Sequence, residues 1–263
     1  MITKYHRPQS LDEALKLLAR PNTLPLGGGT LLSHSKTDSV EVVDLQALGL
    51  SSIKKTGNNL DIGATATLQQ LLEDANCPEA VKTALRLEAP LNLRNAATVA
   101  GTIVSCDGRS TFVTALLALD AKLDIQNSGN ANRMPASGNQ ITVPNSPEMN
   151  IGGYLPLRPR GLITSISIPA NVKVAFDSVS RTPADKPMVC VALTQWTSGR
   201  TRLAVGGYAH APMLAMDGTE AEGIEAAAHN AFHEATDEWA SAEYRMDVAA
   251  TLAKRCLVNL KTR

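Results

Sequence analysis

Thr23–His34, TLPLGGGTLLSH, sets three consecutive glycines and a threonine directly after a short apolar run. Glycine gives up more conformational freedom on folding than any other residue, so a triplet needs an offsetting gain. Successive bare amides form a concave, positively polarised nest that holds phosphate oxygens. An ordinary tight turn after a strand is the plain alternative. Spacing removes two familiar phosphate loops. No Gly-Lys-Ser/Thr follows, so this is no Walker loop, and Leu32 stands where the last glycine of G-x-G-x-x-G belongs. Asp44, at the end of a predicted strand, has the place of a ribose-binding acid, but the dinucleotide fingerprint around it is incomplete.

The other chemistry-bearing residues suggest less. Cys77, Cys106, Cys190 and Cys256 lie far apart with no C-x-x-C pair, which excludes a locally assembled zinc ribbon or iron–sulfur site and predicts reduced thiols. Cys106 reads first as a small buried thiol. His229 and His233 are four apart in a helical tail, but no glutamate adjoins the first as in H-E-x-x-H and no third ligand is evident. A surface helix is the simpler reading, and no metal site is expected. Trp196 and Tyr208 are expected to cover a C-terminal hairpin, and Asp237, Glu238 and Glu243 to be solvated charges.

The elements that must position the glycines alternate. The chain has 263 residues, 25 basic and 25 acidic and well mixed, so no electrostatic footprint points to nucleic acid or an anionic membrane. Aromatics make up only 3 %, too few for a base-stacking platform. Small-molecule or protein partners fit better. The N-terminus lacks a basic segment leading into an apolar one, and no apolar run approaches the roughly 18 residues of a spanning helix. No membrane insertion and a cytoplasmic location are expected.

Ser10 with Glu13, and Thr67 with Gln70, form capping-box patterns ahead of amphipathic helices. The first 75 residues read as helix, strand, strand, hairpin, helix. Pro78 suits the first position of another helix, and STFVTALLALDA from Ser110 reads as a mostly buried one. Residues 127–150 form a long Asn-, Ser-, Gly- and Pro-rich tract, read as a loop. GLITSISIP reads as a strand, MVCVALTQW and RTRLAVGGYA as a hairpin turned at Thr197-Ser198-Gly199, and the chain from Gly218 as helical. A domain boundary is placed near Asn171.

One longer segment narrows the reading of the glycines. Leu93–Ala121, LRNAATVAGTIVSCDGRSTFVTALLALDA, resembles the flavin-contacting segment of the medium subunit of molybdenum hydroxylases, the xanthine dehydrogenase and carbon monoxide dehydrogenase family. Arg94-Asn95, Ala97-Thr98, Gly101 and Leu116–Ala121 match its I-R-N-x-A-T-x-G-G-N and L-L-A-L-D-A motifs. KYHRPQSLDEALKLLA and PLGGGTLL are similar to its Y-x-R-P-x-S-L-x-E-A-L and P-L-A-G-G-T-D-L segments. VVDLQAL, LDIGATATLQQLL, LITSISIP, RTRLAVGGYAHAPM and SAEYRMDVAATLAKRC follow in the family's order.

The resemblance implies an α+β chain: a two-subdomain FAD-binding fold of the vanillyl-alcohol-oxidase (PCMH) type over residues 1–170, with subdomains of about 1–54 and 55–170. A small α+β C-terminal domain, an antiparallel sheet plus helices, would follow over 171–263. FAD would lie in the cleft between the first two parts. Gly27, Gly28, Gly29 and Thr30, flanked by Leu26 and Leu31, would supply amides and a hydroxyl to the diphosphate, while Thr98, Ala100, Gly101 and Thr102 approach from the other side. Side chains at the glycines would hold the backbone off the diphosphate. Asp107, Arg109 and Thr111 would form a variant third loop, in which Arg109 suits a bidentate phosphate contact.

The resemblance also implies a role. The chain would accept electrons from a small 2Fe–2S iron–sulfur subunit, served by a large molybdenum-cofactor subunit, and pass them through FAD to NAD, a quinone or another acceptor. No residue then needs to be a base or nucleophile, and no catalytic residue is assigned. Departures from the family's pattern keep an alternative open. Ala100-Gly101-Thr102 stands for its G-G-N, Leu31 for an Asp or Asn, and Asp107 and Thr111 for a Ser and an Asp. At about 1 kcal/mol per lost hydrogen bond, three or four such changes weaken a ligand substantially. The alternative is a non-catalytic scaffold subunit with a degenerate flavin site. A stand-alone vanillyl-alcohol-oxidase-type oxidase fits less well, since no substrate domain or covalent flavin attachment site is evident.

Overall fold

The computed structural model describes residues 1–32, 39–127 and 148–261. Most of the expected loop over 127–150, and His34 beyond the glycines, fall outside the described residues.

The chain opens with a three-stranded parallel sheet. Strands β1 (Ile2–His6), β2 (Thr23–Leu26) and β3 (Val40–Asp44) lie in the order β1-β3-β2, and helix α1 (Leu11–Leu18) packs against them. β1 has no expectation from sequence, because ITKYH is exposed along almost its whole length and so shows no apolar alternation. Ser10 caps α1 by accepting from the Glu13 amide, while the Glu13 carboxylate reaches back to the Gln9 amide rather than to Ser10. Ala14 and Leu17 of α1 pack on Val43 and Leu45. Leu26 pairs with Asp44 in register, so β2 delivers the glycine turn to the carboxyl edge of the sheet. Ligands of open parallel sheets bind at that edge.

After a 3-10 turn (Gln46–Leu48), the hairpin β4 (Ile53–Thr56) and β5 (Asn59–Gly63) begins a second, antiparallel sheet. With β6 (Lys122–Gln126), β7 (Glu148–Asn150) and β8 (Leu162–Pro169) its order is β4-β5-β8-β6-β7. Helices α2 (Leu68–Glu73), α3 (Glu79–Glu88), α4 (Leu91–Arg94), α5 (Val99–Ser105), α6 (Thr111–Ala118) and α7 (Ile151–Leu157) complete this part. Thr67 and Gln70 satisfy each other's amides at the start of α2, a full capping box. Pro78 sits one residue ahead of its expected place, as the N-cap of α3. All eight residues of α6 are buried.

The remainder is a four-stranded antiparallel sheet, β9 (Lys173–Val179), β10 (Val189–Gln195), β11 (Thr201–Gly206) and β12 (Met213–Gly218), in the order β12-β11-β10-β9. Helices α8 (Ile224–Asn230) and α9 (Ala242–Lys261) follow. β8 ends at Pro169 and β9 starts at Lys173, but the core does not divide there. Ala192 and Ala204 join the cluster built around α6, whereas Val191, Leu193, Leu203 and Val205 join the one under α9. The C-terminal sheet is thus covered on both faces, and the helix covering one of them comes from the preceding part of the chain.

Ion pairs tie the same layers together. Arg202, almost fully buried, sets Nη1 2.6 Å from Asp217 and 3.2 Å from Asp120 at the end of α6, and Arg200 bridges the same two carboxylates at 2.8 and 2.9 Å. The four cysteines are free and buried; burial pushes Cys106 up to about 11 and the other three to about 12. Among the described residues no helix is long and apolar enough to cross a membrane.

Candidate functional site

Two turns meet at the carboxyl edge of the parallel sheet. The first is Leu26–Leu31. Among the described residues the amides of Gly27, Gly28 and Gly29 make no hydrogen bond, and Gly29 turns the chain through the left-handed region at φ 71°. Three successive unpaired donors are unusual in a half-buried loop, where backbone groups are ordinarily satisfied. They have the composition of an anion nest. Leu31 remains 53 % exposed at the turn's end.

The second turn, Ala96–Thr98, leads into α5. Thr98 caps this helix by accepting from the Gly101 amide at 3.1 Å, which leaves its own hydroxyl proton to donate. A Cβ built on Gly28 would stand 1.6 Å from the Ala96 carbonyl oxygen, and one on Gly27 would stand 2.8 Å from the Thr98 hydroxyl. The two turns therefore face each other, and they touch. This adds a reason for glycine that is independent of the expected one, close approach to a diphosphate. At Gly28 it is the protein's own Ala96 carbonyl that excludes a side chain, and any ligand meets the amides from outside that contact.

The expectation for the rest of the second turn also changes. The Val99 and Ala100 amides are taken by the Ala66 and Ala64 carbonyls at 2.9 and 3.2 Å, and the Thr102 amide and hydroxyl both by the Thr98 carbonyl. Ala100, Gly101 and Thr102 thus have no donor to spare. What this turn offers an anion is the Thr98 hydroxyl.

The polar side chains of the third loop are committed within the fold. Thr111 is fully buried, with its hydroxyl 2.7 Å from the Ala84 carbonyl and 3.0 Å from Glu88. Arg109 donates to the Pro187 and Lys186 carbonyls and stacks 4.6 Å from the Trp239 ring centroid. Its guanidinium is committed to the C-terminal part of the chain, so it is no free phosphate clamp. Asp107 accepts from the Arg109 amide and pairs with Lys186 at 2.6 Å, so its charge is compensated within the fold. Asp44 is buried and held by the Tyr5 hydroxyl, Arg7 and the Gln46 amide, which rules out a ribose-binding role.

Glu88 is the residue sequence reasoning missed. One of its carboxylate oxygens accepts from the Ser110 hydroxyl, the Thr111 hydroxyl and the Phe112 amide, all at 2.9 to 3.0 Å, and so caps α6 from the end of α3. Burial raises its pKa, against the lowering pull of the Phe112 amide and the two hydroxyls. A signal existed. An acid in the last turn of a helix opposes that helix's own dipole, which suggests service to a different one. Among the described residues no cluster of His, Cys, Asp or Glu could hold a metal ion.

Residues 1–171 match the family model described as the FAD binding domain in molybdopterin dehydrogenase. The chain is 28 % identical over 261 residues to the uncharacterized protein YgfM of Escherichia coli K12, covering 96 % of this chain and 94 % of that one. It is 28 % identical over 228 residues to the glyceraldehyde dehydrogenase medium chain of Sulfolobus acidocaldarius, covering 81 % and 78 %. Its backbone superimposes on a chain of reconstituted CO dehydrogenase from Oligotropha carboxidovorans with a TM-score of 0.77 at 22 % identity, over 99 % of this chain and 98 % of that one. That likeness shows the fold: α+β, with the two-part FAD-binding arrangement ahead of an antiparallel sheet and helices.

Proposed function

The chain belongs to the family of FAD-binding domains of molybdopterin dehydrogenases, and from that premise we propose that it is the FAD-carrying electron-transfer subunit of a molybdenum hydroxylase complex. The observation that carries the reading is the row of unpaired amides at Gly27–Gly29, at the carboxyl edge of a parallel sheet. These amides would hold the FAD diphosphate, and the Thr98 hydroxyl would add a donor from the facing turn. Bound FAD supplies the redox chemistry, since isoalloxazine takes electrons singly and delivers them in pairs.

The protein's share is then binding and orientation, and no side chain here is asked to act as base or nucleophile. Electrons would arrive from a small 2Fe–2S subunit fed by a large molybdenum-cofactor subunit and leave to NAD, a quinone or another acceptor. A relative named as a medium chain supports such a division of labour. Four buried, unpaired thiols suit a reducing, cytoplasmic setting.

A scaffold role without flavin is the second reading, favoured by one observation: the amides at the start of α5 are already paired and Arg109 and Thr111 are committed elsewhere. Titrating the purified chain with FAD separates the two. Uptake of one FAD with visible flavin absorbance supports the carrier. A colourless chain that leaves added FAD unbound overturns it in favour of the scaffold.

A further inference from the structure

Thr194 and Arg202 face each other across β10 and β11, on the same side of the sheet as Ala192 and Ala204, the side that α6 covers. Residues directly opposite on antiparallel strands hold their Cβ atoms about 4.5–5.5 Å apart. Thr194 is fully buried and Arg202 is 3 % exposed. The Arg202 guanidinium spends Nη1 on Asp217 and Asp120, and Nη2 on the Leu117 carbonyl at 3.2 Å. Two buried polar atoms of this facing pair, Arg202 Nε and Thr194 Oγ1, have no hydrogen-bond partner among the described residues.

A buried donor left unmatched on an ionised group costs more than an ordinary hydrogen bond contributes, and buried polar groups of folded proteins are satisfied by protein or by ordered water. The chemistry that would serve these two atoms is narrow. Nε of arginine can only donate, whereas a hydroxyl donates or accepts. The guanidinium repels a cation. An anion gains little, because Arg200 and Arg202 already face the two carboxylates of Asp120 and Asp217, all within 3.2 Å, and a further negative charge would be unmatched. Water carries no charge, accepts from Nε and donates to the hydroxyl oxygen. There is room beside the guanidinium. A Cβ on Gly152, at the start of α7, would find only Leu117 Cδ1 at 3.6 Å and Arg202 Nη2 at 4.0 Å beyond its own helix backbone, so a space of about one methyl group adjoins Arg202. A water needs about that much.

We propose that Arg202 and Thr194 form an internal water site: one ordered water accepts from Arg202 Nε and donates to Thr194 Oγ1, completing the polar joint between α6 and the C-terminal sheet. The site needs no cofactor and stands whether or not the chain carries FAD.

The test is a crystal structure of the full chain, which reads solvent density directly, together with thermal unfolding of Thr194→Val, which keeps the side chain's shape but has no hydroxyl. We expect a water within about 3.2 Å of both Arg202 Nε and Thr194 Oγ1. Thr194→Val is expected to lower Tm by at least about 2 °C, because valine removes one of the water's partners while Nε stays buried. A hydroxyl that truly lacks a partner gives the opposite sign, since replacing it by a methyl group leaves Tm unchanged or raises it. No solvent density beside Nε, density that refines as an ion, or a Thr194→Val chain at least as stable as the parent each overturns the proposal. Should Thr194→Val fail to fold, the density in the parent decides.

Discussion

Replacing Gly28 by alanine separates two reasons for the glycine triplet. A Cβ there stands 1.6 Å from the Ala96 carbonyl oxygen and an ordinary C···O contact is about 3.3 Å, so the two turns must part by about 1.7 Å. Neither clashing atom can rotate away, because one is fixed to the backbone and the other belongs to it. Overpacking of this kind costs about 1–3 kcal/mol where side chains can adjust, so we expect at least about 3 kcal/mol here. For a chain of this size that is a fall in Tm of about 6–12 °C. Gly29→Ala is the control. Its φ of 71° penalises a side chain by about 1–2 kcal/mol, but the nearest neighbour is Leu26 Cδ1 at 3.4 Å and the turns need not separate. The measurement is urea and thermal unfolding of both variants without FAD. If glycine at 28 serves only the diphosphate, the FAD-free Gly28→Ala chain unfolds like the parent; that result refutes the contact argument.

Two further predictions concern charge. Burial raises the Glu88 pKa above its ordinary 4.5, so the folded chain holds that proton more tightly than the unfolded one. Stability should therefore fall as pH rises from the ordinary carboxylate range through the raised value. Glu88→Gln keeps an acceptor oxygen for Ser110, Thr111 and Phe112 and should flatten that slope in urea midpoints taken from about pH 4 to 7.5; an unchanged slope rejects the assignment. Asp217 behaves oppositely. The Arg200 hydrogen bond, with Arg202 beside it, holds its carboxyl below the ordinary 3.8, so its contribution is present above that range and lost as pH falls through the lowered value. Asp217→Asn leaves buried Arg202 with Asp120 alone and should cost about 2 kcal/mol, between an exposed and a buried pair; a loss under about 0.5 kcal/mol shows the network to be idle.

The parts of the molecule that announce themselves in sequence are those set by near neighbours. Thr67 and Gln70 name the start of α2, and the continuous apolar run after Ser110 marks α6, because caps and burial patterns act within a few residues of their cause. β1 stayed hidden for the same reason. Its pairing with β3 holds it in place, while its exposed side chains carry no period. The triplet at Gly27–Gly29 drew attention to the turn whose amides the fold leaves unpaired, and the order of motifs around it marked the family.

Sequence by itself therefore marked the capped and continuously apolar helices, the family and the glycine triplet. Only the tertiary structure decided which donors remain. It pairs Ala100 with Ala64 and spends Arg109 on Pro187 and Lys186, and it gives Thr111 to Glu88. It also makes the Ala96 carbonyl a reason, apart from any ligand, that Gly28 can bear no side chain. A residue's type fixes what it can donate or accept, but which partner comes within 3 Å of it depends on segments far along the chain, and a polar group already satisfied inside the fold has nothing left for a ligand.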